Sequence, residues 1–74
     1  MSGNGRPKKE TCAAWIAQAA LREAEMGFPE RAAERAKAAL DRSTGREVRC
    51  ISAYALARSG EAALAVQAAA SNAP

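Results

Sequence analysis

Gly27 and Gly60 stand 33 residues apart, and each is followed by alanine at the same two offsets, Ala32 and Ala36 after the first and Ala65 and Ala69 after the second. Glycine ends a helix at low cost because, lacking a Cβ, it adopts the left-handed backbone conformation that closes the last turn. Alanines four residues apart then lie on one face of the helix that follows. Each glycine therefore reads as the turn of a helical hairpin, and a period near 33 predicts two hairpins stacked on one another. Alanine fills 21 of the 74 positions, so the glycine spacing carries more of this inference than the alanine offsets do.

The periodicity places four helices around these turns. Residues 1–9, with Ser2, Gly3, Asn4, Gly5 and Pro7, have no apolar period and read as a flexible basic tail, leaving 10–74 as a single helical domain. A first helix is expected over Glu10 to Met26, with Ala13, Ile16, Ala17, Ala20, Leu21 and Ala24 inward and Gln18, Arg22 and Glu25 outward. Pro29, which needs no amide donor at a first helical position, opens a second helix to Arg42. Its inward residues are Ala32, Ala36, Ala39 and Leu40. Thr44 and Glu47 have capping-box spacing, so a third helix is expected just after Thr44, carrying Val48, Ile51, Ser52, Ala55 and Leu56 on one stripe. Ser59 and Gly60 end it. A shorter fourth helix, Glu61 to Ala70, presents Leu64, Ala65, Val66 and Ala69.

Most of the apolar fraction is alanine, which favours helix but buries little surface per residue. A domain of this size and composition has a thin core, and a partner or second copy would complete it. The net charge of +3 resides in the tail: Arg6, Lys8 and Lys9 have no acid beside them, while the remainder balances its basic and acidic groups. Gln18, Arg22 and Glu23 interrupt the first helix, so no apolar run is long enough to cross a bilayer. No secretory signal is legible, and a cytoplasmic location is expected. Cys12 and Cys50 read as small helix residues and not as a disulfide framework.

The chain resembles the tetratricopeptide-repeat family over roughly residues 12–70. Trp15 is similar to the aromatic early in the family's first helix, Ala19 to the small residue at the hairpin crossing, and Gly27 to the turn glycine. Ala32, Ala36 and Ala39 match packing positions of the second helix, and Ala53, Leu56, Gly60, Ala65 and Ala69 take the corresponding places in the second hairpin. Departures are an extra residue in the first hairpin, Arg49 where the second aromatic would fall, and Thr44 near the place of the closing proline. The resemblance implies binding of a protein or peptide along the first helix of each hairpin. The implied surface includes Ala13, Ile16, Ala20 and Glu23 from one helix and Glu47, Cys50, Tyr54 and Arg58 from the other. The lysine and asparagine set that clamps a terminal carboxylate in some members is absent, so an apolar groove for a helix or extended segment is the expected form. Trp15 and Tyr54 are assigned to core or hairpin packing ahead of a role as partner anchors.

The tail suggests a second class of function. Gly5-Arg6-Pro7-Lys8-Lys9 resembles the AT-hook, whose Gly-Arg-Pro centre lies in the narrow minor groove of A/T-rich DNA, with Asn4 where an arginine normally precedes. Arg6, Lys8 and Lys9 would be its DNA-binding residues. The stretch from Gly5 to Phe28 is also similar to the start of tetracycline-repressor-type regulators. Ala32 to Leu40 nevertheless runs on without the glycine-centred turn that a recognition helix requires.

Catalysis has little to draw on. The chain contains no histidine, the usual general base at neutral pH, and its two cysteines cannot fill a zinc site. Glu30 and Glu34 alternate with Arg31, Arg35 and Lys37 as a solvated charge lattice. The combined expectation is an all-α chain of four helices, two stacked antiparallel hairpins of tetratricopeptide-like form or a small four-helix bundle. Its expected role is a non-catalytic protein–protein interaction module, an adaptor, regulator or inhibitor of a larger complex, open to forming a homodimer. No cofactor and no metal are expected. A small DNA-binding regulator is the alternative.

Overall fold

A computed structural model describes residues 8–70, with side chains from Thr11 onward. Four helices follow in order: α1 (Lys8–Glu25), α2 (Pro29–Arg42), α3 (Arg46–Arg58) and α4 (Ala62–Ala70). No strand occurs among the described residues. The second helix has the bounds its proline and apolar period predict. The first begins at Lys8, two residues before the expected start, so two residues assigned to the basic tail belong to a helix; lysine and glutamate both favour helix once Pro7 is passed.

The two glycine turns have the same construction. Gly27 has φ +93° and Gly60 φ +88°. At the first, the amide of Gly27 donates to the Ala24 carbonyl (3.2 Å) and that of Phe28 to the Glu23 carbonyl (2.9 Å). At the second, Gly60 donates to Ala57 (3.1 Å) and Glu61 to Leu56 (2.9 Å). Both are Schellman closures, which satisfy carbonyls otherwise left without partners at a helix end. The register continues beyond them, because Ala32 donates to Phe28 and Ala65 to Glu61 in the first turns of α2 and α4. The spacing of 33 is thus a structural equivalence between the hairpins α1/α2 and α3/α4.

The start of α3 differs from the expected capping box. Its N-cap is Gly45, and no side chain caps it. Ser43 Oγ instead accepts the Gly45 amide (3.1 Å), turning the chain ahead of the helix. Thr44 contributes its carbonyl, which accepts from Arg49 Nε at 2.9 Å.

α1 packs on α2 and α3, and α3 packs on α2 and α4. The Cα envelope measures 42 × 31 × 14 Å. The smallest dimension corresponds to two helix layers at ordinary interaxial distance. One core cluster holds Ala13, Ala17, Ala39 and Val48; the other holds Ala20, Ala33, Ala36, Ala55, Leu56, Ala65 and Ala68. Leu56 and Val48 are the largest fully buried side chains. Leu21, Leu40 and Leu64 close the second cluster from its edge. In α4 the inward residues are Ala65 and Ala68, whereas Val66 and Ala69, expected inside, are exposed.

Arg49 is the unexpected core residue. It is 8% exposed, with Nε on the Thr44 carbonyl and Nη1 donating to the Ala69 carbonyl at 3.4 Å. Ala69 lies in the last turn described for α4, at the negative end of the helix dipole, where a cation is a favourable partner. The guanidinium therefore ties the α2–α3 connection to the end of α4. Ser52 Oγ is buried without a hydrogen-bond partner.

Candidate functional site

The exposed face of α3 gathers three of the predicted site residues. Cys50, Tyr54 and Arg58 recur every four residues, so they rise along one stripe, and all three are exposed. Tyr54 retains 52% of its surface, and the Arg58 guanidinium carbon stands 5.6 Å from the centre of its ring. That stacking holds the arginine stem along the ring and leaves a flat aromatic surface bordered by a cation. Cys50 carries a free thiol, as does Cys12, which is also exposed.

The three residues expected from α1 do not extend this surface. Ala20 is fully buried in the second core cluster, so it contributes packing and no contact surface. The close approach of α2 and α3 to α1 is made on such small side chains, which is why this position turns inward. Ile16 is half-buried against the first cluster. Glu23 is engaged within the protein: Arg35 Nε donates to its Oε1 at 2.8 Å, and Arg31 Nη2 lies 3.5 Å from Oε2. These pairs brace α1 against α2. Ala13, also placed on the groove by the family resemblance, is fully buried.

Aromatic residues supply what the expected groove lacks. The chain has one Trp, one Tyr and one Phe, and all three side chains are exposed. Like Tyr54, also expected in core or hairpin packing, Trp15 stands outside, 75% exposed on the outer face of α1. With Gln18, Ala19 and Arg22 it lines a shallow cleft of about 220 Å³. Phe28 follows the first glycine turn, with the Arg31 guanidinium carbon 6.0 Å from its ring centre. Val66 and Met26 are exposed as well. Sequence periodicity contained a signal for Trp15, since it falls outside the Ala13–Ala17–Ala20 stripe; its size argued the other way and misled. A further cleft of about 260 Å³ lies between α2 and α4, floored by Leu40, Leu56 and Leu64 and rimmed by Lys37 and Gln67.

Of the alternative DNA-binding set, Arg6 lies outside the described residues, and Lys8 and Lys9 open α1. Among the described residues no three His, Cys, Asp or Glu side chains come together in a way that could hold a metal ion. No described helix is long and apolar enough to cross a membrane. The chain matches no protein-family model, and no curated protein or solved structure matches it.

Proposed function

We propose that this chain is a non-catalytic binding module that takes a protein or peptide partner on the exposed face of α3, with Tyr54 as its anchor and Arg58 and Cys50 beside it. The observation that carries the proposal is the inversion of side-chain size: the buried apolar residues are alanines with one valine and one leucine, while all three aromatic residues face solvent. Burying the area these rings leave open is worth roughly 2–4 kcal/mol per ring. Aromatic and arginine side chains are also the groups that dominate binding energy at protein interfaces. Tyr54 with Arg58 stacked on it supplies both. In this reading the hairpins act in the tetratricopeptide manner, as a scaffold that presents the first helix of each pair. The module serves as an adaptor, regulator or inhibitor of a larger complex.

Affinity capture with the native chain and with Tyr54→Ala, each with and without nuclease, tests the proposal. A partner retained by the native chain, lost with Tyr54→Ala and indifferent to nuclease is the expected result. A captured set unchanged by Tyr54→Ala would refute the assignment of the anchor. Nuclease-sensitive capture, together with retention of an A/T-rich duplex that disappears on deleting residues 1–9, would favour the DNA-binding alternative through Arg6, Lys8 and Lys9.

A further inference from the structure

Alanine supplies most of the buried positions, yet three of the chain's four leucines, Leu40, Leu56 and Leu64, meet at one cleft. α2 and α4 both pack on α3 and leave a gap of about 260 Å³ between them. Leu56 of α3 is its floor, and the half-buried Leu40 of α2 and Leu64 of α4 are its walls. Residues two apart on a helix are turned by about 200°, so Leu56 and Tyr54 leave opposite sides of α3, and the cleft is separate from the surface assigned to a partner. Its polar groups stand at the rim, where Lys37, Thr44 and Gln67 are all exposed. Lys37 is the one ionisable residue in the lining. The ion pairs among the described residues are those of Glu23 with Arg31 and Arg35, so this ammonium has no carboxylate partner there. Glu34 and Asp41, on neighbouring turns of α2, take no part in the lining.

We propose that this cleft binds an unbranched alkyl chain with a single anionic head, the chemistry of a medium-chain carboxylate. The floor decides against a peptide segment. A backbone laid on three leucines would bury N–H and C=O groups that find no partner there, whereas an alkyl chain has no such groups to desolvate. The volume sets the length: at about 30 Å³ for each methylene, close to the share of a water molecule in the liquid, the cleft holds roughly eight or nine carbons. It also falls just short of the ~300 Å³ at which pockets for drug-sized ligands begin, which suits a slim chain better than a ring system. The rim sets the head. An ammonium, a hydroxyl and a side-chain amide all donate hydrogen bonds, and the lining's one charge is positive, so a carboxylate is matched and a cationic head is repelled.

Leucine-methyl NMR makes the test specific, because Leu21, the fourth leucine, lies outside the cleft and serves as an internal control. The native chain is titrated with hexanoate, octanoate, decanoate and dodecanoate below their micellar concentrations. The methyls of Leu40, Leu56 and Leu64 should shift saturably and those of Leu21 should not. Each added methylene should tighten binding about two- to fourfold, the upper figure being that of full burial, until a plateau near nine carbons. Octylammonium should bind more weakly than octanoate. Lys37→Gln, at an exposed position, should weaken octanoate about two- to fivefold and leave octanol unchanged. Ala68→Leu fills the cleft from its wall and should abolish the shifts; Thr44→Trp covers it from the exposed rim and replaces the first block if circular dichroism shows that Ala68→Leu loses helix. Tyr54→Ala should take octanoate as the native chain does, which separates this site from the partner surface. Leucine methyls indifferent to every chain length would overturn the proposal. So would an affinity that climbs without a plateau, octylammonium binding as tightly as octanoate, or a blocked chain with intact helices that still binds.

Discussion

Replacing Gly27 or Gly60 by alanine tests the hairpin equivalence at the two residues that create it. Both sit at φ near +90°, and a Cβ built on either meets nothing within 4 Å. No neighbour has to move, so the cost is confined to the backbone. Holding an L-residue in the left-handed region costs about 1–2 kcal/mol. Alanine also restricts the unfolded chain, which returns about 0.4–1 kcal/mol. The net loss should be ~1 kcal/mol at each site, equal at the two sites, and additive in the double variant because the turns belong to different hairpins and share no partner. In a domain of this size each substitution should lower Tm by roughly 4–8 °C. Urea denaturation followed by circular dichroism should show the midpoint falling with an unchanged slope. The decisive control is D-alanine at the same positions, introduced by chemical synthesis. Its preferred φ is positive, so it keeps the unfolded-state benefit without the strain and should raise stability by about 0.4–1 kcal/mol. D-alanine as damaging as L-alanine, or an L-alanine variant as stable as the parent, would refute the conformational argument.

Ser52→Ala should stabilise the fold by ~1 kcal/mol, because it removes a buried hydroxyl that has no hydrogen-bond partner; a raised urea midpoint is the readout. Arg49→Met keeps much of the side-chain volume but gives up the bonds to the Thr44 and Ala69 carbonyls. It should cost about 1–3 kcal/mol, with the amides of α4 losing more protection from hydrogen exchange than those of α1. Leu56→Ala should cost about 2–5 kcal/mol, whereas Trp15→Ala should lie within ~0.5 kcal/mol of the parent at concentrations where the chain is monomeric. Thermal unfolding of the pair measures that contrast, and equal losses would contradict the placement of Trp15 outside the core.

The helix count, both glycine turns and the bounds of α2 were legible because each rests on local chemistry: apolar period, proline at a helix start, glycine at a helix end. What was not legible depended on neighbours. α4 reads Ala-Ala-Leu-Ala-Val-Gln-Ala-Ala-Ala, apolar almost all round, so period alone could not decide between Ala68 and Ala69 as the inward residue. The Thr44–Glu47 spacing was right for a capping box. Gly45 at the N-cap, with Ser43 Oγ holding its amide, moved the helix start past Thr44 and left the box unformed. Half of the predicted binding set shared this weakness. The family resemblance implied all six; Cys50, Tyr54 and Arg58 share one exposed stripe of α3, whereas placing Ile16, Ala20 and Glu23 required knowing how α1 meets α2 and α3.

The exposed aromatics and the alanine core are two aspects of one pattern. Alanine fills nearly every buried apolar position between two helix layers whose Cα envelope is 14 Å thick, so the interior is built from small side chains. Trp15, Phe28 and Tyr54 lie off the inward stripes and stand outside that interior. Arg49, the long side chain that does enter, threads to the layer's edge, where the Thr44 and Ala69 carbonyls receive it. A thin core leaves little stability in reserve, which makes covering the outer rings by a partner or another copy count toward folding as well as binding. Association and stability are then linked quantities. Any surface that covers Trp15 or Tyr54 should raise the unfolding midpoint with concentration, whereas a surface that leaves both rings in water should not.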